Sequence, residues 1–231
     1  MIEQLVKQIQ ALPIVEQIKY LCDLYPGKVV FSTSFQYEDQ IITDFIFRNN
    51  LPVEVFTIDT GRLFEETYKT FNNTIKYYKK TIKVYFPDYK DIEKYVSTKG
   101  PNAFYESVEN RKECCRIRKV LPLERALKNK KVWITGLRSG QAATRKHVPL
   151  LEWDSKHKII KFNPLHNWSL EEVKNYVYKN AIPYNILHDK GYPSIGCAPC
   201  TRPIKPGEDI RAGRWWWENN SKKECGLHIK E

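Results

Sequence analysis

Apolar positions along the chain switch repeatedly between a helical and a strand period. Ile2, Leu5, Val6, Ile9 and Leu12 recur at helical spacing until Pro13 interrupts them, and Ile14, Ile18, Leu21 and Leu24 carry a second helix to Pro26-Gly27. Cys22 lies in that helix with no thiol partner nearby in sequence and reads as core packing. Short apolar runs at Val29–Phe31, Val53–Ile58, Ile82–Phe86, Lys131–Thr135 and Ile159–Phe162 read as strands, the first of them buried. Helices fall between them: one carrying Ile41, Ile42, Phe45 and Ile46, one over Phe64–Tyr78, one near Asp91–Val96, and one over Glu113–Leu127 that Pro122 bends or divides. Ser169-Leu170-Glu171-Glu172 opens a last helix in a near-capping-box arrangement, continued by Val173, Tyr176 and Val177.

Strands alternating with helices predict an α/β fold, a parallel-type sheet flanked by helices on both faces. From Tyr192 onward prolines and glycines replace periodicity. The expected organisation is one main domain over residues 1–200 and an irregular C-terminal arm over 201–231.

Polar turns follow three of the strands. Ser32-Thr33-Ser34-Phe35-Gln36-Tyr37-Glu38-Asp39 leads from strand to helix, the geometry that presents free backbone N–H groups to an anion, although it lacks the glycines of a P-loop. Asp59-Thr60-Gly61-Arg62 ends the second strand, and Gly136–Lys146, with two glycines and three basic residues, follows the fourth. In open α/β sheets ligands bind beyond such strand ends. Each turn also has an ordinary reading, as a helix cap or a solvated basic loop.

Composition narrows the class. With 42% hydrophobic and 28% charged residues the chain is too apolar to be disordered, and its 231 residues suffice for a full core. The formal net charge of +11 favours an anionic partner, whether nucleic acid, nucleotide, sulfate or acidic protein. The N-terminus does not read as a signal peptide, and no apolar run approaches the roughly 20 residues of a spanning helix. A cytoplasmic location is expected, where six cysteines point to metal or redox chemistry and not to a disulfide framework.

Four of those thiols fall in two pairs, Cys114-Cys115 within a basic helix and Cys197-Ala198-Pro199-Cys200 downstream. Cys-x-x-Cys is a good chelating half. Neighbouring helical side chains diverge by about 100°, so Cys114 and Cys115 reach different irons of one cluster more easily than a single zinc, which favours pairs two to four residues apart. Iron–sulfur, zinc and unrelated buried thiols all remain open on chemistry alone, with iron–sulfur favoured by ligand softness and spacing. Cys225 is not needed for a four-thiolate site. Lys222, Lys223 and His228 around it stabilise a thiolate, which makes it a candidate nucleophile, with Glu224 opposing them. Upstream, Arg211 and Arg214 flank Trp215-Trp216-Trp217, a combination suited to clamping an anion and stacking over a base or closing a cleft.

These motifs carry a resemblance. Ser34-Phe35 with Glu38, Asp59-Thr60-Gly61-Arg62, Cys114-Cys115-x-x-Arg118-Lys119, Thr144-Arg145, Cys197-x-x-Cys200, Arg211-Ala212-Gly213-Arg214-Trp215-Trp216-Trp217-Glu218 and Glu224-Cys225-Gly226-Leu227-His228 together resemble the assimilatory adenylyl-sulfate reductases, the iron–sulfur branch of the adenylyl-sulfate and phosphoadenylyl-sulfate reductase family, over nearly the whole chain from Val29. The first turn departs from the family, reading Ser-Phe-Gln-Tyr-Glu where Ser-Phe-Gly-Ala-Glu is usual. The resemblance implies an adenine nucleotide alpha-hydrolase-like fold and a [4Fe–4S] cluster on Cys114, Cys115, Cys197 and Cys200. It implies substrate contacts from Ser34, Phe35, Thr60, Gly61, Arg62, Lys119, Gly136, Arg145, Arg211, Arg214 and His228. The implied reaction is thioredoxin-dependent reduction of adenylyl sulfate to sulfite and AMP through an S-sulfo-cysteine at Cys225, in a homo-oligomer.

Three competing readings bear on the same residues. Extra basic residues can accept the 3′-phosphate of phosphoadenylyl sulfate as well. A metal-containing nucleic-acid-binding protein would suit the charge and aromatics, but the basic residues fall in turns after strands and not in one stripe. A nucleotide-activating tRNA thiolase would show a Ser-Gly-Gly type pyrophosphate loop, which residues 32–39 lack.

Overall fold

A computed structural model describes residues 2–141 and 146–218; Arg145, Cys225 and His228 lie outside the described residues. The elements in chain order are α1 (Ile2–Ile9), α2 (Ile14–Leu24), β1 (Val29–Ser32), α3 (Tyr37–Arg48), β2 (Glu54–Ile58), α4 (Glu65–Tyr78), β3 (Lys83–Tyr85), α5 (Tyr89–Lys99), α6 (Val108–Cys115), α7 (Leu121–Leu127), β4 (Val132–Ile134), β5 (Leu151–Asp154), β6 (Ile159–Phe162) and α8 (Leu170–Lys179). The six strands form one sheet in the order β3-β2-β1-β4-β6-β5. β1 pairs in parallel with β2 and with β4, and β4 in parallel with β6, while β5 runs antiparallel on the edge.

Burial explains this mixture. Strands covered on both faces read as continuous apolar runs, whereas an edge strand with one wet face alternates. β6 is buried along its whole length, even at Lys161, whose ammonium lies 3.5 Å from Glu152 and over the Trp133 ring. β5 is covered only at its start, with Leu151 buried and Trp153, on the same face two residues on, exposed, and its four residues show no strand period in the sequence.

The chain divides into two compact units. The first comprises Met1–Thr57, Glu65–Lys83 and Asn129–Ile186, the second Ile58–Phe64, Val84–Lys128 and Leu187–Glu231. The first holds a large continuous core that includes Ile18, Leu21, Phe31, Ile41, Ile134 and Phe162. Each such side chain contributes about 1.5–3 kcal/mol when fully buried. α3 runs through this core with polar groups satisfied in place: Gln40 donates to Thr74 Oγ1 (2.7 Å) and the Pro183 carbonyl (2.6 Å), and Asp44 accepts from Arg48, Tyr78 and Tyr176.

Among the described residues of the second unit, Phe104 clusters with Cys197, Cys200 and Trp215, and Tyr95 with Ala103 and Ile117. The helix expected over Glu113–Leu127 is divided ahead of Pro122. α6 ends at Cys115, a wider π turn spans Arg116–Val120 with Leu121 N–H donating to the Arg116 carbonyl, and α7 then starts with Pro122 in its first turn. Pro122 has no N–H to return to residue 118 and its ring crowds that carbonyl, so the ladder shifts register just ahead of it. Residues 201–218 form turns, with one isolated bridge between Thr201 and Arg214.

Candidate active site and thiol centre

In the first unit, β2 leaves β1 on one side and β4 lies on the other, so the strand order reverses between β1 and β4. Ligands of open α/β sheets bind outside the carboxyl ends of the strands at such a switch point. Ser34, Phe35 and Gly136 all follow those ends. Ser34 donates through its backbone N–H (2.7 Å) and its hydroxyl (2.6 Å) to Asp39 Oδ2 in the first turn of α3. Phe35 carries φ 61°, strained for a residue with a Cβ. Its ring is buried and stacked on Phe71 at 4.9 Å, and so is committed to the core.

Gly136 is required by contact: a Cβ there would lie 2.3 Å from Asp39 Oδ1. Asp39 is buried, and burial pushes its carboxyl up to about 7 against the lowering effect of the Ser34 hydrogen bonds. Beside it, Arg138 donates to Glu38 at 2.7 Å in a buried ion pair. Gly136–Lys146 reads from its sequence as a basic loop suited to an anion, but its Arg138 is an internal counter-ion.

The second unit collects the thiols. The Asp59–Arg62 turn is built by Asp59 Oδ1 accepting from Gly61 N–H at 2.8 Å and Thr60 Oγ1 from Arg62 N–H at 3.2 Å, with Gly61 at φ 69°. Thr60 Oγ1 lies 3.3 Å from Cys197 Sγ, the Thr60 carbonyl accepts from Arg118 Nη1 at 2.6 Å, and the Arg62 carbonyl accepts from Ala198 N–H at 2.8 Å. The turn therefore holds the Cys197–Cys200 loop by backbone and side chain together. The Arg62 guanidinium is engaged by the Pro101 carbonyl and Asn102 and lies over the Phe104 ring.

Cys197 and Cys200 are buried with Phe104 and Trp215, and Cys114 packs against them. Burial raises the Cys114 thiol, opposed by the charge of Arg118 and a hydrogen bond from it. Burial, then the neighbouring Cys197, push Cys200 up to about 12, opposed by Lys119 and Arg214. Three thiols thus share one apolar, cation-rimmed site, with Cys115 half-buried next to Cys114. Among the described residues no three His, Cys, Asp or Glu side chains converge tightly enough for a single metal ion.

The Arg211–Trp217 motif is mainly architecture. Trp215 is 1% exposed, with φ 43°, and carries the guanidinium groups of Arg111 and Arg214 at 4.7 Å and of Arg211 at 5.9 Å from its ring centre. Trp216 is exposed and Trp217 meets Tyr105 edge-on. Arg214 Nη1 donates to Ser194 Oγ at 3.2 Å. Its Nε has no acceptor among the described residues, and Gly196 leaves the space a Cβ would take from its Nη2. Arg111 and Glu218, joined by a bidentate buried ion pair, were not singled out from the sequence as site residues. The adjacent basic and acidic positions gave no signal, because the two lie 107 residues apart.

Comparison with known proteins gives these features a context. Residues 28–203 match the model of the phosphoadenosine phosphosulfate reductase domain. Over 205 residues the chain is 52% identical to the adenosine 5′-phosphosulfate reductase of Sinorhizobium fredii (strain USDA 257), covering 89% of this chain and 82% of that one. It is 50% identical to that of Allochromatium vinosum over 203 residues, 88% and 79% of the two chains. A phosphoadenylyl-sulfate reductase from Candida auris, solved as a phosphate complex, superposes with a TM-score of 0.75 at 31% identity, over 87% of this chain and 96% of that one. Candida glabrata FMN adenylyltransferase shares the fold alone, with a TM-score of 0.55 at 14% identity, over 98% and 78% of the chains. From its strand order, its paired thiols and its identity to these enzymes, the chain belongs to the phosphoadenosine phosphosulfate reductase domain family.

Proposed function

We infer that the chain reduces adenylyl sulfate to sulfite and AMP in assimilatory sulfate reduction. The observation that carries this reading is the gathering of Cys114, Cys197 and Cys200 beside Arg118 and Lys119, in a chain about half identical to adenosine 5′-phosphosulfate reductases. The thiols suit a [4Fe–4S] cluster: Cys114, Cys197 and Cys200 are soft donors in one apolar site, with Cys115 adjacent to Cys114. Cys114, Cys115, Cys197 and Cys200 would hold it, and when bound it supplies local charge and architecture.

Cys225 is the nucleophile in this reading. Its thiolate attacks the sulfate sulfur, an S–S bond forms, the S–O bond to the nucleotide breaks, and AMP leaves with the electron pair. A thioredoxin thiolate then attacks the Cys225 sulfur and releases sulfite. Its second thiol resolves the mixed disulfide, so the two electrons come from the thioredoxin dithiol. Lys119, Arg145, Arg211 and Arg214 stabilise the charge that develops on the leaving phosphate. The Nε of Arg214, which has no acceptor among the described residues, supports that role. The Ser34–Phe35 turn and Gly136, at the switch point, receive the nucleotide through backbone groups, and Thr60, Gly61, Arg62 and His228 complete the contacts. The thiol chemistry requires a reducing compartment, the cytoplasm.

Sulfite release with reduced thioredoxin, measured separately for adenylyl sulfate and its 3′-phosphorylated form, tests the assignment. Turnover of adenylyl sulfate is expected to dominate, and turnover of neither nucleotide overturns it. Cys225→Ser should retain the fold and nucleotide affinity but lose sulfite formation, because a serine hydroxyl stays protonated near neutrality. Wild-type protein with adenylyl sulfate alone should gain a sulfonate on the Cys225 peptide, read by mass spectrometry. A sulfonate on Cys22, or turnover by Cys225→Ser, rejects the mechanism.

A further inference from the structure

At the switch point of the first unit, a strained turn is tied to one buried carboxylate. Phe35 stands at φ 61°, a conformation that a residue with a Cβ keeps only where its surroundings over-determine it. Here the surroundings are donors converging on Asp39. Ser34 gives its backbone N–H (2.7 Å) and its hydroxyl (2.6 Å) to Asp39 Oδ2, and the backbone of Gln36 gives Asp39 a further hydrogen bond. The residues on both sides of Phe35 are thus held by the same side chain. Phe35 N–H itself donates to Thr33 Oγ1 at 3.1 Å.

The Gln36 side chain extends the network, its Nε2 donating to Ser34 Oγ at 2.9 Å. A hydroxyl carries one proton. Ser34 directs it to Asp39 and accepts from Gln36, so the order Gln36, Ser34, Asp39 runs one way. Gln36 stands where the resembled turn usually reads glycine, which makes this bond a feature of this chain. On its other side Asp39 Oδ1 faces Gly136, where a Cβ would collide with it. The carboxylate therefore sets the turn after β1 against the turn after β4.

Asp39 is buried, and burial pushes its carboxyl up to about 7. The Ser34 and Gln36 bonds act downward, and the charge of Glu38 beside it acts upward. Arg138, which follows β4, is paired with Glu38 at 2.7 Å. An ionised carboxylate only accepts, whereas a neutral one has a proton of its own to place and turns one oxygen into a donor. Facing three donors of one turn, only the ionised form suits them all.

We propose that Asp39 is a positioning residue for the nucleotide: its carboxylate, acting through Ser34 and Gln36, holds the turn after β1 in the shape that receives the nucleotide. This role rests on the reading of that turn and Gly136 as the nucleotide site. Asp39 acts through the turn and not by contact with the ligand. Nucleotide affinity consequently follows ionisation of Asp39 and rises as pH rises through about 7.

AMP binding measured by calorimetry across pH, in wild type and Asp39→Asn, tests it. The ratio of the two affinities at each pH cancels titration of the AMP phosphate. Wild-type affinity should fall about tenfold relative to Asp39→Asn between about pH 8 and about pH 6, because one unit below the midpoint only about a tenth of the carboxyl groups are ionised. In wild type, carbon-13 NMR of the Asp39 carboxyl should show its midpoint lowered by about one pH unit when AMP saturates the protein, and this decides the matter should Asp39→Asn not fold. Hydrogen exchange of the peptide spanning residues 33–39, with and without AMP, locates the nucleotide. With that peptide protected by AMP, parallel affinity profiles or a carboxyl midpoint that AMP does not lower overturns the positioning role alone. A wild-type protein that binds no AMP, or binds it without protecting that peptide, overturns the nucleotide-site reading and this inference with it.

Discussion

Asp39 shows how one residue can be placed by forces that oppose each other. Its carboxyl accepts two hydrogen bonds from Ser34, which favour the ionised form, yet burial outweighs them and holds it near 7. A folded-state pKa above the unfolded value means that the folded chain binds the extra proton. The associated stability is present in full below the unfolded pKa and is lost as pH rises through about 7. Wild-type protein should accordingly lose a few kcal/mol relative to Asp39→Asn between about pH 4 and pH 8, at about 1.4 kcal/mol per pKa unit. Urea unfolding of both proteins across that range checks it, and parallel profiles would refute the account. Gly136→Ala, whose new Cβ would meet Asp39 Oδ1 at 2.3 Å, should destabilise by about 1–3 kcal/mol, the usual effect of overpacking, with a lowered urea midpoint at constant slope. Little of this was legible in the sequence. Residues 136–146 read as an anion-binding loop because three of them are basic, but whether an arginine meets solvent or a buried partner depends on a residue far away. For Arg138 that residue is Glu38, 100 positions earlier.

At the scale of elements, what the sequence shows plainly is whatever local rules decide. Ser169 and Glu172 form the full capping box at the start of α8, with the Ser169 hydroxyl accepting from Glu172 N–H at 3.1 Å and the Glu172 carboxylate from Ser169 N–H at 2.7 Å. Removing that acceptor in Ser169→Ala should cost about 1 kcal/mol, read as a shift in the urea midpoint; no shift would mean that packing of Val173 and Val177 alone holds the helix. The buried strands β1, β2, β4 and β6 and the break at Pro122 were equally readable. β5 was not, because four residues at a sheet edge with one of them buried carry little periodic signal. The π turn between Cys115 and Leu121 was also hidden. Pro122 announces an interruption, but whether the ladder kinks, ends or widens is settled by the packing of Ile117, Arg118 and Val120, which are buried there.

The two units differ in the apolar clusters described in them. The core around β1, β4 and α3 draws on many side chains, whereas the clusters around Trp215 and Tyr95 among the described residues of the second unit are small. A domain with so small a core usually needs a covalent or metal cross-link to stay folded. The thiols stand where such a link would act, since Cys114 lies on α6 and Cys197 and Cys200 lie some eighty residues later within the same unit. Metal binding by groups that come together only on folding adds directly to folding free energy. Removing iron with a chelator under anaerobic conditions, or Cys197→Ser, should therefore loosen the second unit selectively. Hydrogen exchange followed by mass spectrometry should show protection lost by at least tenfold, about 1.4 kcal/mol of local stability, in peptides from α6, α7 and residues 198–218. Peptides from β1, β4 and β6 should exchange as before. Equal loss in both units would show that the thiol centre holds the entire chain. No loss in either would show that the second unit is stable on its small clusters and buried ion pair alone, and that the four thiols are not a structural centre.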